Sequence, residues 1–487
     1  MKKEYWKKPT WYLFLLTLLL SVVILVQLFL LAMIPIHFVV IATVVVLLMD
    51  LLFYFLLVSR KANKVNRILG SVLSVVLCIG MVVGNLYLFK TNSLFEDITH
   101  SGEQKNVVSV VVKSDSDIES VQDLKQAIGY AKTMDADGTK QLFADIKEKE
   151  QLTLQQKEYN SLIDVTQALK DGDCEAMVLN ESYRSMVSEN AIFEDFDQDT
   201  KVIYTYTYYT KVDPNAKAVD VSKEAFTVLI SGIDVYGDIA ATSRSDVNLL
   251  VTVNPLTKEI LMVSIPRDYY VETACDAADG CGRGQMDKLT HTGLHGAHTT
   301  QATLEKLFGI EINYTLRVNF SSVQTIVDAL GGIEVDNPQT FRIGGYTFEP
   351  GRIHLDGDRA LMFSRERKSF GEGDRERGRN QMRVFSGILD KVTSPAILTN
   401  YMSILDAVGD SFETNMSSGE MKSLVQMQLN DRASWHIQQM SVDGANGNDY
   451  CYELQNTAWV MYPDMDTVDA AAKAMETVTH GGRPDLE

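Results

Sequence analysis

The chain has 487 residues, of which 46% are hydrophobic, and a formal net charge of -19 at pH 7. That length is enough for two or three domains, each with a core of its own. Residues 91–487 hold 36 basic and 62 acidic side chains, a net charge of -26. Because such a surface repels phosphate backbones and anionic headgroups, the charge argues against a protein that binds nucleic acid.

Three apolar runs open the chain, at residues 11–33, 37–58 and 68–89. Each run is about long enough to cross a ~30 Å hydrocarbon core as a helix. A cleavable signal peptide would have one short apolar stretch and a small-residue cleavage site. The pattern therefore predicts three transmembrane helices over residues 11–90 and a multi-pass protein of the cell membrane.

Basic residues alternate across these spans and predict their orientation. Lysines precede the first span, and Lys and Arg side chains fill the loop between the second and the third. Basic residues beside a span stay on the cytoplasmic side. Residues 1–10 are therefore predicted to be a cytoplasmic tail, and the large part after the third span is predicted to be extracellular.

An α/β fold is predicted outside the membrane, in two domains. Residues 95–215 alternate β-branched runs with helical periods, which is typical of a small α/β accessory domain with a binding, spacing or assembly role. A linker then leads to a larger mixed α/β/α domain over residues 222–400. Residues 401–487 are predicted to be a C-terminal extension packed on that domain.

The larger domain begins with three predicted strands, at residues 225–233, 247–253 and 259–265. If they form a meander, Asp234, Asp246 and Arg267 meet at one edge of the sheet. Two carboxylates placed together repel each other, and Mg²⁺ binds one or two carboxylates together with substrate phosphates. The alternative interpretation makes both acids turn residues, with Arg244 paired to one of them.

The segment at residues 361–384, LMFSRERKSFGEGDRERGRNQMRV, contains six arginines. Asp374, Arg377 and Gln381 have the spacing of one helix face. Arg365 and Arg367 come from the preceding helix, so the five groups could converge on the FGEG loop. One interpretation is a solvated helix that Asp374 caps. The other is an anion site, because guanidinium groups bind phosphate through two hydrogen bonds.

Histidines and cysteines suggest two further sites. His291, His295 and His298 have a spacing that could bind zinc, but we interpret them as ordinary loop or helix residues because the accompanying glutamate motif is missing. Cys275 and Cys281 bracket a short loop and could form a disulfide in an extracellular domain.

Several segments together resemble the LytR-CpsA-Psr (LCP) family, in particular its streptococcal CpsA-type capsule branch. They are SGIDVYGDIAATSRSDVNLLVTVNP, VSIPRDYYV, DKLTH, ALMFSRER and DRERGRNQ, within residues 225 to about 390. The resemblance implies a Mg²⁺-dependent phosphotransferase that moves capsular polysaccharide from undecaprenyl pyrophosphate to peptidoglycan as a phosphodiester. Its expected partners are that lipid-linked glycan, peptidoglycan, membrane lipid and other capsule-assembly proteins, with no nucleic acid.

The resemblance also assigns site residues. Asp234 and Asp246 match the metal-binding carboxylates, and Lys288 is placed on the sugar side. Asp234, Asp246, Arg267 and Asp374 become catalytic residues, with Asp234 and Asp374 as alternatives for the general base. The pyrophosphate-binding set is Arg244, Arg267, Arg365, Arg367, Arg377 and Gln381.

Two alternative functions remain open at this stage. Water could replace the wall hydroxyl, which would make the protein a lipid-pyrophosphate hydrolase. The chain could also be a membrane sensor or regulator of capsule synthesis.

Overall fold

The computed structural model describes residues 9–59, 63–97, 103–211, 216–233, 241–275, 281–371, 373–394, 404, 407 and 412–486. The three predicted apolar helices are present and long enough to cross a membrane. They are α1 (Pro9–Leu31), α2 (Ile36–Phe53, continued by a π-helical turn Tyr54–Val58) and α3 (Lys64–Asp97). Most of their large apolar side chains are exposed, which suits contact with lipid.

The accessory domain is a five-stranded sheet in the order β3-β2-β4-β1-β5. Strand β1 is antiparallel to β4 and β5, whereas β2 is parallel to β3 and β4. Its elements are β1 (Glu103–Lys113), β2 (Ile128–Ala131), α4 (Ala136–Lys149), β3 (Gln156–Tyr159), α5 (Leu162–Asp171), β4 (Ala176–Asn180), α6 (Arg184–Ser188), α7 (Phe196–Asp199) and β5 (Thr200–Lys211). Buried valines on both faces of β1 separate two apolar cores, so this sheet is covered on both sides.

The larger domain is built on a six-stranded sheet in the order β16-β11-β6-β7-β8-β17. Strands β6 (Phe226–Ile233), β7 (Ser245–Asn254) and β8 (Glu259–Ile265) form the predicted antiparallel meander. Strand β11 (Tyr314–Asn319) joins β6 in parallel, and β16 (Phe412–Thr414) and β17 (His436–Ser441) form the two edges. Apolar residues of the meander alternate between a core on each face, which confirms the predicted α/β/α layering.

Helices cover both faces of this sheet, and short strands connect them. One face is covered by α8 (Ala297–Phe308) and α13 (Met465–Thr479), the other by α11 (Asp374–Val392). Further elements of this domain are β9 (Tyr270–Glu272), β10 (Met286–Lys288), α9 (Phe320–Ala329), β12 (Ile333–Asn337), β13 (Phe341–Ile343), β14 (Tyr346–Phe348), β15 (Gly351–Leu355), α10 (Gly357–Arg365) and α12 (Ser418–Asp431).

The C-terminal region does more than pack on the domain. Two of its strands, β16 and β17, are edges of the central sheet. It also forms an antiparallel hairpin, β18 (Gly444–Cys451) and β19 (Asn456–Pro463), which the sequence did not predict. We call this hairpin the terminal hairpin.

One disulfide joins Cys275 to Cys281, which decides the open question about these two cysteines. The loop between them, residues 276–280, lies outside the described residues. Cys78, Cys174 and Cys451 are buried and unbridged.

Candidate active site

Asp246 and Arg267 lie together at one edge of the meander, as predicted. Asp246 is the second residue of β7, and Arg267 follows the end of β8 on the neighbouring strand. Arg267 Nη1 donates to Asp246 Oδ1 at 2.7 Å, and Arg244 Nη2 donates to Oδ2 at 3.3 Å. Thr290 Oγ1 donates to the same Oδ1 at 2.8 Å. Asp234, predicted to join this group, lies outside the described residues.

The accessory domain adds a second carboxylate to the same arginines. Glu189, just after α6, accepts a hydrogen bond from Arg244 Nη1 at 2.8 Å and another from Arg267 Nη2 at 3.3 Å. The Arg244 side chain is 3% exposed, whereas that of Glu189 is 43% exposed. Two guanidinium groups are therefore held between two carboxylates that come from different domains.

The arginines determine the protonation of both acids. Burial alone would raise the pKa of Asp246, but Arg244 and Arg267 outweigh it and hold that pKa well below the usual range. The same balance lowers the pKa of Glu189 to about 2. Both carboxylates are ionised at neutral pH, so neither is suited to accept a proton from a reacting hydroxyl.

Three cavities meet around this group of charges. The first lies between the sheet and α11, and its lining is mostly apolar, with five polar residues: Asp246, Asn319, Ser364, Arg365 and Gln381. The second shares Asp246 and Gln381 with the first and is lined by Arg267, Arg375, Arg377 and Arg379. The third, of about 740 Å³, shares Arg267 and Arg375 with the second. We call them the apolar, arginine and polar cavities.

The six arginines of residues 361–384 have different surroundings. Arg377 and Gln381 line the arginine cavity together, as the predicted helix face requires. Arg365 lies at the apolar cavity, but Arg367 lines the polar cavity with Phe370 and Gly371. Helix α10 ends at Arg365, and Arg365 and Arg367 line different cavities. The convergence of all five groups on the FGEG loop stays a prediction, because Glu372 and the Asp374 side chain lie outside the described part of the chain.

Two arginines of the segment have a structural partner in Glu376. Arg379 Nε and Arg383 Nη1 each lie 2.6 Å from a Glu376 oxygen, one on each side of that carboxylate. Asp374 is the first residue of α11, and its side chain is outside the described part of the chain; the residue before it, Gly373, is the N-cap.

A family model for LytR-CpsA-Psr proteins matches residues 182–476, more than half of the chain. The chain belongs to the LytR-CpsA-Psr family. The matched range includes Glu189 as well as the whole charged group around Asp246. A second model, described as a DNA polymerase processivity factor, matches residues 61–179, which include all of α3 and part of the accessory domain.

Curated relatives of this LytR-CpsA-Psr protein include polyisoprenyl-teichoic acid–peptidoglycan teichoic acid transferases named TagU. The one from Enterococcus faecalis is 40% identical over 205 residues, and the match spans 42% of this chain and 65% of the relative. The one from Bacillus cereus is 36% identical over 236 residues, 45% of this chain and 75% of the relative. The crystal structure of Bacillus subtilis TagV is 27% identical, with a TM-score of 0.44, over 54% of this chain and 99% of that one.

Lys288 lies at the polar cavity, and its charge is balanced there. Its ammonium group donates to Asp268 Oδ1 at 3.0 Å, and Arg267 Nε lies 3.5 Å from Asp268 Oδ2. Asp268 thus links the predicted sugar-side lysine to the arginine at the centre of the site.

Two of the three histidines, His291 and His295, have carboxylate partners. His291 Nδ1 is 2.6 Å from Asp287 Oδ1, and His295 pairs with Glu453 at the turn of the terminal hairpin. Within the described ranges there is no group of three His, Cys, Asp or Glu side chains that could hold a metal.

Sequence reasoning missed Glu189, Thr290 and Asp268. Thr290 is in the DKLTH segment and Asp268 directly follows Arg267, so motif position was a usable signal for these two. Glu189 is 55 positions from Arg244 in another domain, and only the packing of the two domains brings them together.

Asp246 fits magnesium on the chemistry of its oxygen atoms. A carboxylate offers about four lone pairs. Asp246 has three described contacts: Oδ1 accepts from Arg267 and Thr290, and Oδ2 accepts from Arg244. Magnesium binds few protein carboxylates and takes substrate phosphates for its other positions. One carboxylate beside an anion site therefore suits a magnesium ion that arrives with a phosphorylated substrate.

Proposed function

We propose that this protein is a membrane-anchored transferase that moves a glycopolymer from a polyprenyl-pyrophosphate carrier onto peptidoglycan. The observation that carries the proposal is the order of the three cavities. An apolar space, a space lined by four arginines and a larger polar space follow one another through shared residues. The proposed substrate has the same order, since its lipid, pyrophosphate and glycan are joined in a row.

The arginine cavity is suited to a pyrophosphate. Planar guanidinium groups bind phosphate oxygens through paired hydrogen bonds, each charged bond being worth roughly 1.5–3 kcal/mol. Arg267, which lines this cavity, is fixed in place by Asp246, Glu189 and Asp268. Arg244 is 3% exposed and is not among the lining residues of the three cavities; it holds Asp246 and Glu189 from within the protein. Donors fixed before the substrate binds need little rearrangement when charge develops during the reaction.

The reaction that fits this site is an in-line phosphoryl transfer. A hydroxyl of the peptidoglycan acceptor forms a bond to the phosphorus nearer the sugar, while the bond from that phosphorus to the bridging oxygen breaks. Polyprenyl phosphate leaves with the bonding electron pair, and the hydroxyl proton passes to a base or to solvent. Asp246, ionised and surrounded by donors, orients the arginines rather than taking that proton.

Magnesium belongs to the proposal as a cofactor. Asp246, together with Asp234, would hold the ion, which supplies charge neutralisation for the pyrophosphate. The names of the relatives, which describe transfer of teichoic acid to peptidoglycan, support the general reaction. Capsular polysaccharide as the glycan and undecaprenyl as the lipid are the finer parts of the proposal.

The membrane anchor supports an extracellular site for this chemistry. We call the larger domain the catalytic domain. Gln426 Nε2, on its helix α12, donates to the carbonyl of Ile34 in the loop between α1 and α2 at 3.4 Å. That contact supports placing the catalytic domain on the same side of the membrane as this uncharged loop. With the basic residues of the other two segments in the cytoplasm, we propose that the domain faces the cell wall.

A product analysis tests the proposal. The full-length protein in detergent is incubated with a lipid-pyrophosphate glycan and a peptidoglycan oligosaccharide, and the products are identified by mass spectrometry with magnesium or with a chelator. We expect a phosphodiester-linked adduct that requires magnesium and is lost in Arg267→Ala. Arg352→Ala, an exposed arginine on β15 away from the three cavities, is the matched control and should retain activity.

Other products would support the two rival functions. Released glycan phosphate without an adduct would indicate a hydrolase. Tight lipid binding without turnover would indicate a sensor. The Asp246→Ala variant, expressed in cells, distinguishes a sensor from a transferase. We expect this variant to lose wall attachment without a change in capsule-gene transcription, whereas altered transcription with normal attachment would contradict a transferase.

A further inference from the structure

The polar cavity has walls from three parts of the chain. The catalytic domain contributes Arg267, Lys288 and Arg367, which continue from the arginine cavity. The accessory domain contributes a segment from Met186 to Ala191, and the terminal hairpin contributes both of its strands. The basic residues of the catalytic domain therefore form only one side of this space.

The terminal hairpin is fixed at both of its ends. At its base, Arg375 of α11 donates to the carbonyl of Gly444 at 2.8 Å and forms an ion pair with Asp443. At its turn, Tyr183 of the accessory domain donates to Glu453 Oε2 at 3.2 Å, and the Glu453 backbone N–H donates to Asp287 Oδ2 at 2.7 Å. The hairpin thus connects α11 to the accessory domain and forms a fixed wall of the polar cavity.

The lining of these two walls has the chemistry that carbohydrates require. Trp459 is a cavity-lining residue with 41% of its surface exposed. Asn446, Asn456 and Asn190 line the same space. The Asn190 and Asn456 side-chain oxygens each accept a nearby backbone N–H, which fixes the orientation of these two amides. Among the described contacts, neither the indole N–H of Trp459 nor the side-chain amide of Asn446 has a partner within the protein. An aromatic face with amide groups around it can stack on a sugar ring and bind its hydroxyls.

The position of this cavity favours the donor glycan over another occupant. Arg267 and Arg375 belong to both the arginine cavity and the polar cavity, so the two spaces are adjacent. In a lipid-pyrophosphate glycan the first sugar is bonded directly to the pyrophosphate. A pyrophosphate held at Arg267 therefore delivers its sugars to Trp459 and the asparagines.

We propose that the polar cavity is the glycan-binding site of this protein, and that the accessory domain and the terminal hairpin select the sugar. This inference rests on the proposed function and deepens it. It gives the accessory domain a substrate-recognition role, and it assigns the residues of a specificity site in the segments Met186–Ala191 and Asn446–Trp459.

Binding measurements on the full-length protein in detergent test the assignment. The probes are geranylgeranyl pyrophosphate and the same lipid pyrophosphate carrying N-acetylglucosamine, glucose or galactose. We expect wild type to bind at least one glycosylated probe about tenfold more tightly than the plain lipid pyrophosphate. The ratio of the two dissociation constants isolates the contribution of the sugar.

Two variants alter the two new walls separately. Trp459→Ala removes the aromatic face of the hairpin, and Ala191→Trp fills the cavity from the accessory domain. Each should reduce the preference for the glycosylated probe about tenfold and leave the affinity for the plain lipid pyrophosphate unchanged. Trp459→Phe should recover part of the preference because it restores an aromatic face.

Tyr462→Ala is the matched control. Tyr462 lies on the same strand as Trp459, but its ring packs against Tyr270 and it is not among the cavity residues. The assignment is wrong if no sugar improves binding, if Trp459→Ala weakens both probes equally, or if Tyr462→Ala produces the same loss of preference. Failure of the plain lipid pyrophosphate to bind would instead overturn the proposed function, and this inference with it.

Discussion

Glu189 of the accessory domain accepts a hydrogen bond from Arg244 of the catalytic domain at 2.8 Å. The same carboxylate reaches Arg267, which Asp246 also holds. Glu189 and Asp246 together balance the charges of the two arginines that are proposed to bind pyrophosphate. An incoming anion therefore meets guanidinium charge that is already balanced, and the accessory domain supplies part of that balance.

Glu189→Gln should increase the affinity of the site for anions. The substitution removes one negative charge beside Arg244 and Arg267 and keeps the size of the side chain. We expect the dissociation constant of geranylgeranyl pyrophosphate, measured by calorimetry at low salt, to fall several-fold. Glu194→Gln removes the same charge from the same part of the accessory domain, away from the arginines, and should change this constant little. Equal effects of the two variants would show that only overall charge matters.

The contribution of Glu189 to stability should depend on pH in a defined direction. Its pKa is about 2 in the folded protein, compared with about 4.3 for an unfolded glutamate. Burial alone would raise this pKa, but the positive charges of Arg244 and Arg267 outweigh burial and lower it. Because the folded-state pKa is the lower one, the stabilisation is complete above about pH 4.3 and is lost as the pH falls through about 2. The difference in Tm between wild type and Glu189→Gln should be constant near neutral pH and shrink below about pH 4. A difference that grew on acidification would contradict this assignment.

Asp246→Ala should lower stability as well as activity. The Asp246 side chain is 10% exposed and pairs with two arginines that are themselves almost buried. Removing one partner of a buried ion pair typically costs roughly 3–5 kcal/mol, and we expect the lower part of that range because Glu189 still contacts both arginines. Urea denaturation measures the loss, and Asp336→Asn, an exposed acid on β12, is the control with little expected effect. An unchanged unfolding free energy in Asp246→Ala would show that the arginines find other partners.

The sequence was sufficient where local rules determine position. A meander brings the ends of β7 and β8 to one edge, so the contact between Asp246 and Arg267 followed from strand boundaries alone. The terminal hairpin was missed because β18, GANGNDYC, is rich in residues that are rare in strands and is largely exposed. It forms because β19 pairs with it and Arg375 fixes its base, and both are tertiary effects.

The apolar cavity provides the last test, because the proposal requires it to hold a lipid tail. Val318 of β11 is half-buried and lines this cavity together with Ile230, Phe385 and Ile388. Val318→Phe should fill part of the space and weaken the binding of geranylgeranyl pyrophosphate about tenfold, while overpacking lowers stability by roughly 1–3 kcal/mol. Isopentenyl pyrophosphate, whose tail is one isoprene unit, should bind the variant and wild type alike. Val202→Phe places the same ring on an exposed position of β5 and should affect neither ligand. If Val318→Phe weakened both ligands equally, the lipid would lie elsewhere and the order of the three cavities would no longer match the order of the substrate.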